Sequence, residues 1–296
     1  MPSVPSFPEV KIPNFTSCSI PELRHLVPGL AHLKPVPDQS ELVTLLDRIG
    51  AKTVELNSKT PNLISDEAVV SEQGGIKTHQ KFSYLVLQHA LDSKNMVLDE
   101  FRVDVATGEK FQTEFKDQAP TPSSPSLLEL PSSARTVPQS GGPPLSQGFV
   151  NDWLYFYPSN RRQAEFRYLG QQKMDGHQTQ VVAFAQKPGF VRLPSKVEYA
   201  GKTLPVFMQG VAWVDASDFR IVRLQVDLLS PPPGVPLRQM TADIQFAETR
   251  IVDVASPLWL PGRVVVSTNL GGATLSEAHT YSNFRLFRAR SKIVLK

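Results

Sequence analysis

The chain has 296 residues, 41% of them hydrophobic, with 31 Lys and Arg against 28 Asp and Glu and a formal net charge of +3. Such a chain can bury a large core. The near-balanced charge argues against a nucleic-acid partner, and the single cysteine, Cys18, excludes an intramolecular disulfide or a cysteine-rich zinc site.

Residues 1–37 are rich in proline and read as an extended N-terminal arm with one helical turn at Glu22–Leu26. Cys18 lies in this arm as an inert or weakly reactive thiol; no apolar segment precedes it to make a lipidation site. Prolines in Met1–Lys11 break any signal-peptide core, and no apolar run reaches the ~18 residues of a membrane-spanning helix. The protein is therefore cytoplasmic, or its leader lies outside this chain.

The clearest helix follows. Asp38 suits an N-cap with Glu41 three residues on, and Leu42, Leu45, Leu46 and Ile49 make one apolar stripe. The helix ends at Gly50 or runs on to Leu56. Its stripe is either core packing or a lid over a cavity.

After Pro61 the periodicity becomes that of strands: Leu63–Gln73, Phe82–Gln88, Met96–Asp104 and Lys110–Phe115. Residues 117–147, rich in proline and serine, read as a surface insertion in one sheet. Strands resume at Trp153–Tyr157, Ala164–Lys173 and His177–Gln186, with Pro188–Pro205 irregular. A hairpin then joins Val206–Asp215 to Asp218–Leu229; Val222, Leu224, Val226 and Leu228 share one side, and Arg223, Gln225 and Asp227 the other. Met240–Val252, Leu258–Leu270 and Thr274–Ala289 complete about ten strands. The domain spans residues 38–290, and 291–296 form a basic tail.

Motifs for nucleotide, zinc-protease or serine-hydrolase chemistry are absent, so no catalytic residue is assigned. No cofactor and no metal is expected. His279 and Tyr281 share a strand face, and the plain reading is two polar side chains facing solvent. Asp215 and Asp218 hold a cation or simply shape a hairpin turn. The basic C-terminus (Arg285, Arg288, Arg290, Lys292, Lys296) is a charged strand edge or a peripheral contact to anionic lipid.

Several stretches together resemble the periplasmic lipoprotein-carrier superfamily, the outer-membrane lipoprotein-sorting proteins and their sigma-factor-regulator relatives. They are Phe166–Gly170, Asp175-Gly176-His177, Val181–Ala185 and above all Ala212-Trp213-Val214-Asp215 followed by Ile221-Val222-Arg223. Gln209–Asp215 and Leu258–Pro261 also look like segments of uncharacterised exported acidobacterial proteins. The resemblance covers roughly Gln39–Arg290. It implies a mainly β (α+β) fold: a strongly curved, open antiparallel sheet, a half-barrel, with a helix on its concave face. It also implies non-enzymatic binding of acyl chains, from lipid or acylated protein, in a periplasmic or envelope protein. Strand alternation gives the expected lining: Val182, Phe184, Val222, Leu224, Val226, Ile244 and Phe246, beneath a lid of Leu42, Leu45, Leu46 and Ile49. The same residues equally make a dry core. The alternative function is an envelope interaction or sensing module without a small-molecule ligand.

Overall fold

A computed structural model describes residues 12–90, 96–113, 135–136, 149–191, 195–199 and 202–287. The strands are β1 Lys34–Pro35, β2 Leu63–Gln73, β3 Ile76–Ala90, β4 Met96–Asp104, β5 Lys110–Thr113, β6 Arg135–Thr136, β7 Ala164–Met174 and β8 His177–Gln186. They continue with β9 Ser195–Tyr199, β10 Lys202–Val206, β11 Met208–Asp215, β12 Ile221–Leu228, β13 Leu237–Thr249, β14 Leu258–Leu270 and β15 Ala273–Leu286. Two helices, α1 Ile20–Leu26 and α2 Leu42–Lys59, accompany them. One sheet of twelve strands has the order β1-β7-β8-β11-β12-β13-β14-β15-β2-β3-β4-β5; its two ends do not pair, so it is open. The mainly β, curved open sheet with a helix on its concave face is thus the fold.

The hairpin expected from alternation is β11–β12, with Ala212 opposite Leu224, Gly210 opposite Val226 and Met208 opposite Leu228. Directly opposed residues share a face, so the register carries this face across Phe184, Val182, Ile244 and Val264. It is the inner face. Val222, Leu224, Val226 and Leu228 are all buried, but so are Gln225 and Asp227 on the other side.

The outer face is covered around β7 and β11 by residues 12–36, which form no merely extended arm. Outward-facing polar side chains catch their backbone. Gln209 accepts from Phe15 N–H at 2.9 Å and donates to Pro13 O at 3.0 Å. Arg167 donates to Cys18 O at 2.6 Å, and Gln172 to Gly29 O at 2.9 Å. Gly29 lies on the Trp213 ring, where a Cβ would come within 3.0 Å. Phe15, Leu23, Val27 and Leu30 are buried there. Helix α1 begins two residues before the expected turn, with the Ser19 hydroxyl accepting from Glu22 N–H. Cys18 is buried, and burial together with Glu22 raises its thiol pKa.

Four local expectations are corrected. Asp38 does not cap α2: its carboxylate accepts from Ser40 N–H at 2.9 Å in a local turn, and Glu41 takes the N-cap position without a side-chain bond. Gly50 does not end the helix, which runs to Lys59. At Gly50, α2 comes so close to Phe156 O and Pro158 that a Cβ would stand 3.1 Å from each, so a small residue is needed there. Trp153–Tyr157 is not a strand; Phe149–Phe156 is a 3-10 segment, hereafter the plug. Its apolar residues lack a period, so burial decides its shape. Pro188–Pro205 is not irregular throughout, because β9 and β10 pair antiparallel and β6 joins them in a small second sheet. The insertion at 117–147 lies outside the described residues except for 135–136, as do Arg288, Arg290, Lys292 and Lys296.

Leu45, Leu46 and Ile49 are buried and Leu42 is half-buried. Leu45→Ala is expected to cost about 2–5 kcal/mol in urea unfolding. A loss under about half a kcal/mol would mean that the stripe is not packed.

Candidate functional site

The plug lies on the inner face along its length. Tyr155 stacks on Phe184 with centroids 4.6 Å apart, Phe156 meets Phe184 edge-on at 5.7 Å, and Trp153 stacks on Phe246 at 5.4 Å and 6°. Phe149 presents an edge to His279 at 5.1 Å. Helix α2 packs on the plug and closes the face toward β3, where Gln88 donates to Asn57 O. The expected lining residues Val182, Phe184, Leu224, Val226 and Ile244 come together here, each no more than 2% exposed, under the chain's own aromatic rings. Val222 and Phe246 belong to the same core, Phe246 under Trp153, and both also line a surface cleft.

Beside the plug, the inner face carries a buried ionic group that alternation did not single out. Glu67 on β2, Glu100 and Arg102 on β4 and His279 on β15 are each at most 1% exposed. Arg102 grips Glu67 through both Nε and Nη2, the latter at 2.9 Å from Oε1. His279 Nδ1 is 2.9 Å from the same Oε1. Burial alone would push the Glu67 carboxyl up, but the Arg102 charge and the His279 hydrogen bond outweigh it and hold it at about 2. An ionised carboxylate only accepts, so His279 carries its proton on Nδ1. Glu100 Oε1 accepts from Val150 N–H at 2.8 Å and so ties down the start of the plug. Arg102 lies 5.0 Å from the Tyr84 ring centroid and 6.0 Å from that of Phe149. His279 therefore does not face solvent, contrary to the plain reading of its strand. The signal was available: Leu63, Ser65, Glu67 and Val69 share one parity, so an inward Leu63 implies an inward Glu67.

Next to this group is an apolar crevice of about 10 Å³ between β2, β3, β14 and the plug. Leu63, Val86, Val150 and Leu260 form its floor, with half-buried Tyr281 and Phe284 at the rim.

At the end of the sheet, two neighbouring β-bulges open the surface cleft, which encloses about 270 Å³. The Asp215 carboxylate is engaged by its own hairpin turn. It accepts from Ser217 N–H and Oγ and meets His177 Nδ1 at 2.5 Å. Burial opposes ionisation there, but the Ser217 and His177 hydrogen bonds lower the Asp215 pKa. Asp218 pairs with Arg220 at 3.2 Å. Among the described residues no group of three metal-ligating side chains occurs, and no helix is long and apolar enough to cross a membrane.

No family model and no curated protein matches the chain. Among solved structures it is similar to a DUF1329 family protein from Desulfovibrio piger, at 11% identity and TM-score 0.45, covering 84% of this chain and 94% of that one. A LolA superfamily protein from Nitrosomonas europaea matches at 11% identity and TM-score 0.41, over 83% and 94% of the two chains. An outer-membrane lipoprotein-sorting protein domain from Vibrio parahaemolyticus matches at 11% and 0.42, again over 83% and 94%.

Proposed function

We propose that the protein is a non-enzymatic binding protein of a bacterial envelope that takes the acyl chain of a lipid or acylated protein at its inner face. The observation that carries this reading is the apolar crevice between Leu63, Val86, Val150, Leu260 and Phe284, where the plug meets the sheet. The envelope assignment rests on the sequence resemblance around Ala212–Asp215.

Magnitudes decide how a chain enters. Fourteen methylenes at ~0.8 kcal/mol each supply roughly 10 kcal/mol before ordering costs. Displacing the buried Phe149, Val150, Trp153, Leu154, Tyr155 and Phe156 would cost roughly 9–18 kcal/mol at about 1.5–3 kcal/mol each. Association costs of about 4 kcal/mol or more bring the acyl figure below this range, so an acyl chain does not replace the plug. It inserts beside it, widening a crevice that now has room for about one water. The basic C-terminus, where Arg285 already pairs loosely with Asp66 at 3.7 Å, suits contact with anionic headgroups.

A second reading, an envelope interaction module, is favoured by the plug itself, since Val182, Phe184, Leu224, Val226 and Ile244 are already covered. Titration with a fluorescent 14-carbon acyl probe separates the two. The carrier reading expects saturable uptake at micromolar concentration, weakened at least ~10-fold by Phe284→Glu, which sets a charge at the rim. No uptake by the wild-type protein ends the carrier reading, and a protein partner that copurifies without lipid then supports the module.

A further inference from the structure

The cleft at the sheet end shares no lining residue with the acyl crevice. Its origin lies in the register. Trp213 opposes Arg223 and Val214 opposes Ile221, so Val222 is the extra residue of one bulge. Gln245 opposes Arg263 and Phe246 opposes Pro261, so Gly262 is the extra residue of the next. Both extra residues line the cleft. Bulges re-aim side chains and are common beside functional sites. Here they bring residues of both faces to one opening.

The walls have two characters. Phe246 and Trp259, each 7% exposed, give an aromatic floor. Trp259 is fixed by its indole N–H donating to Ile221 O at 2.7 Å and by Arg220 lying 4.1 Å over its ring. Opposite are polar groups with capacity to spare. Arg263 is exposed, and neither its side chain nor that of Gln245 has a hydrogen bond or ion pair among the described residues. His177 donates from Nδ1 to the ionised Asp215, which leaves its Nε2 as an acceptor. Asp175, in the turn between β7 and β8, is the one carboxylate on the wall.

We propose that this cleft is a binding site for a small ring-bearing monoanion of the aromatic carboxylate class. The ring lies against Phe246 and Trp259, and the carboxylate takes hydrogen bonds from the Arg263 guanidinium and the Gln245 side-chain amide. Arg is suited to a carboxylate through its planar fork of donors. The volume, close to the lower end of the roughly 300–1,000 Å³ of small-molecule sites, sets the ligand at one ring rather than an acyl chain. Asp175 repels a second negative charge.

Benzoate is the probe, followed by titration calorimetry and by the Trp259 indole N–H resonance. Saturable binding that shifts this resonance is expected, weakened at least ~10-fold in Arg263→Gln and undiminished in Asp175→Asn. Benzyl alcohol, which lacks the charge, should bind at least ~10-fold more weakly. Arg263 is exposed and unpaired, so its replacement leaves the fold intact, which unchanged urea unfolding verifies. Absence of saturable benzoate binding, an unmoved Trp259 resonance, or equal binding by Arg263→Gln each overturns the proposal. Acyl uptake is scored separately and fails or stands independently.

Discussion

Glu67→Ala should lower the free energy of unfolding by about 3–5 kcal/mol at neutral pH, because it takes from buried Arg102 its bidentate partner and leaves only the longer pair to Glu100 at 3.8 Å. Breaking such a pair differs from replacing it. A Glu67→Leu, Glu100→Gln, Arg102→Met triple variant removes all three charges and should be less destabilised than Glu67→Ala alone. Urea unfolding of the three proteins makes the comparison, and a single-variant loss below about 1 kcal/mol would show that the charges are hydrated. The same group gives a pH dependence of known sign. The Glu67 carboxyl lies at about 2 when folded and at its ordinary 4.5 when unfolded, so the unfolded chain binds the proton more readily. Its contribution is fully present above about pH 4.5 and is lost as pH falls toward about 2. Glu67→Gln should flatten the stability profile across that window.

Trp153→Ala should cost about 3–5 kcal/mol, since the ring is 1% exposed and stacks on Phe246. Trp153→Phe keeps an aromatic face there and should retain most of the stability. Because Phe246 lies between Trp153 and the surface cleft, Trp153→Ala should also loosen the cleft floor and raise the benzoate Kd. Full stability in Trp153→Ala would mean that the plug contributes nothing to the core.

Which parts of this structure were legible follows from which residues repeat. The β11–β12 hairpin was plain, because Val222, Leu224 and Val226 alternate and Asp215 to Asp218 carry turn chemistry. The plug was not, because Phe149, Val150, Trp153, Leu154, Tyr155 and Phe156 are apolar in nearly every direction and fit either period. The outer cover was missed for a different reason: prolines in residues 12–37 signal an extended chain and outweigh the i, i+4, i+7 spacing of Leu23, Val27 and Leu30. The buried polar side of β12 follows from that cover, as alternation tells which residues share a side but not what lies against it. The ionic group joins three strands whose spacing in sequence says nothing of their proximity.

The pairing of β2 with β15 has a kinetic consequence. The β2–β5 meander is attached to the rest of the sheet through this one seam. Glu67 and His279, which meet across it, are 212 residues apart. Contacts of such separation require a very large loop to close before they are rewarded, so the seam belongs to the slow class of folding events. Until it closes, β2 and β15 each present an unpaired edge. A chaperone that delays collapse should raise the yield of folded protein more than it raises the folding rate, and aggregation should track the lifetime of the state in which the two halves have formed but not joined.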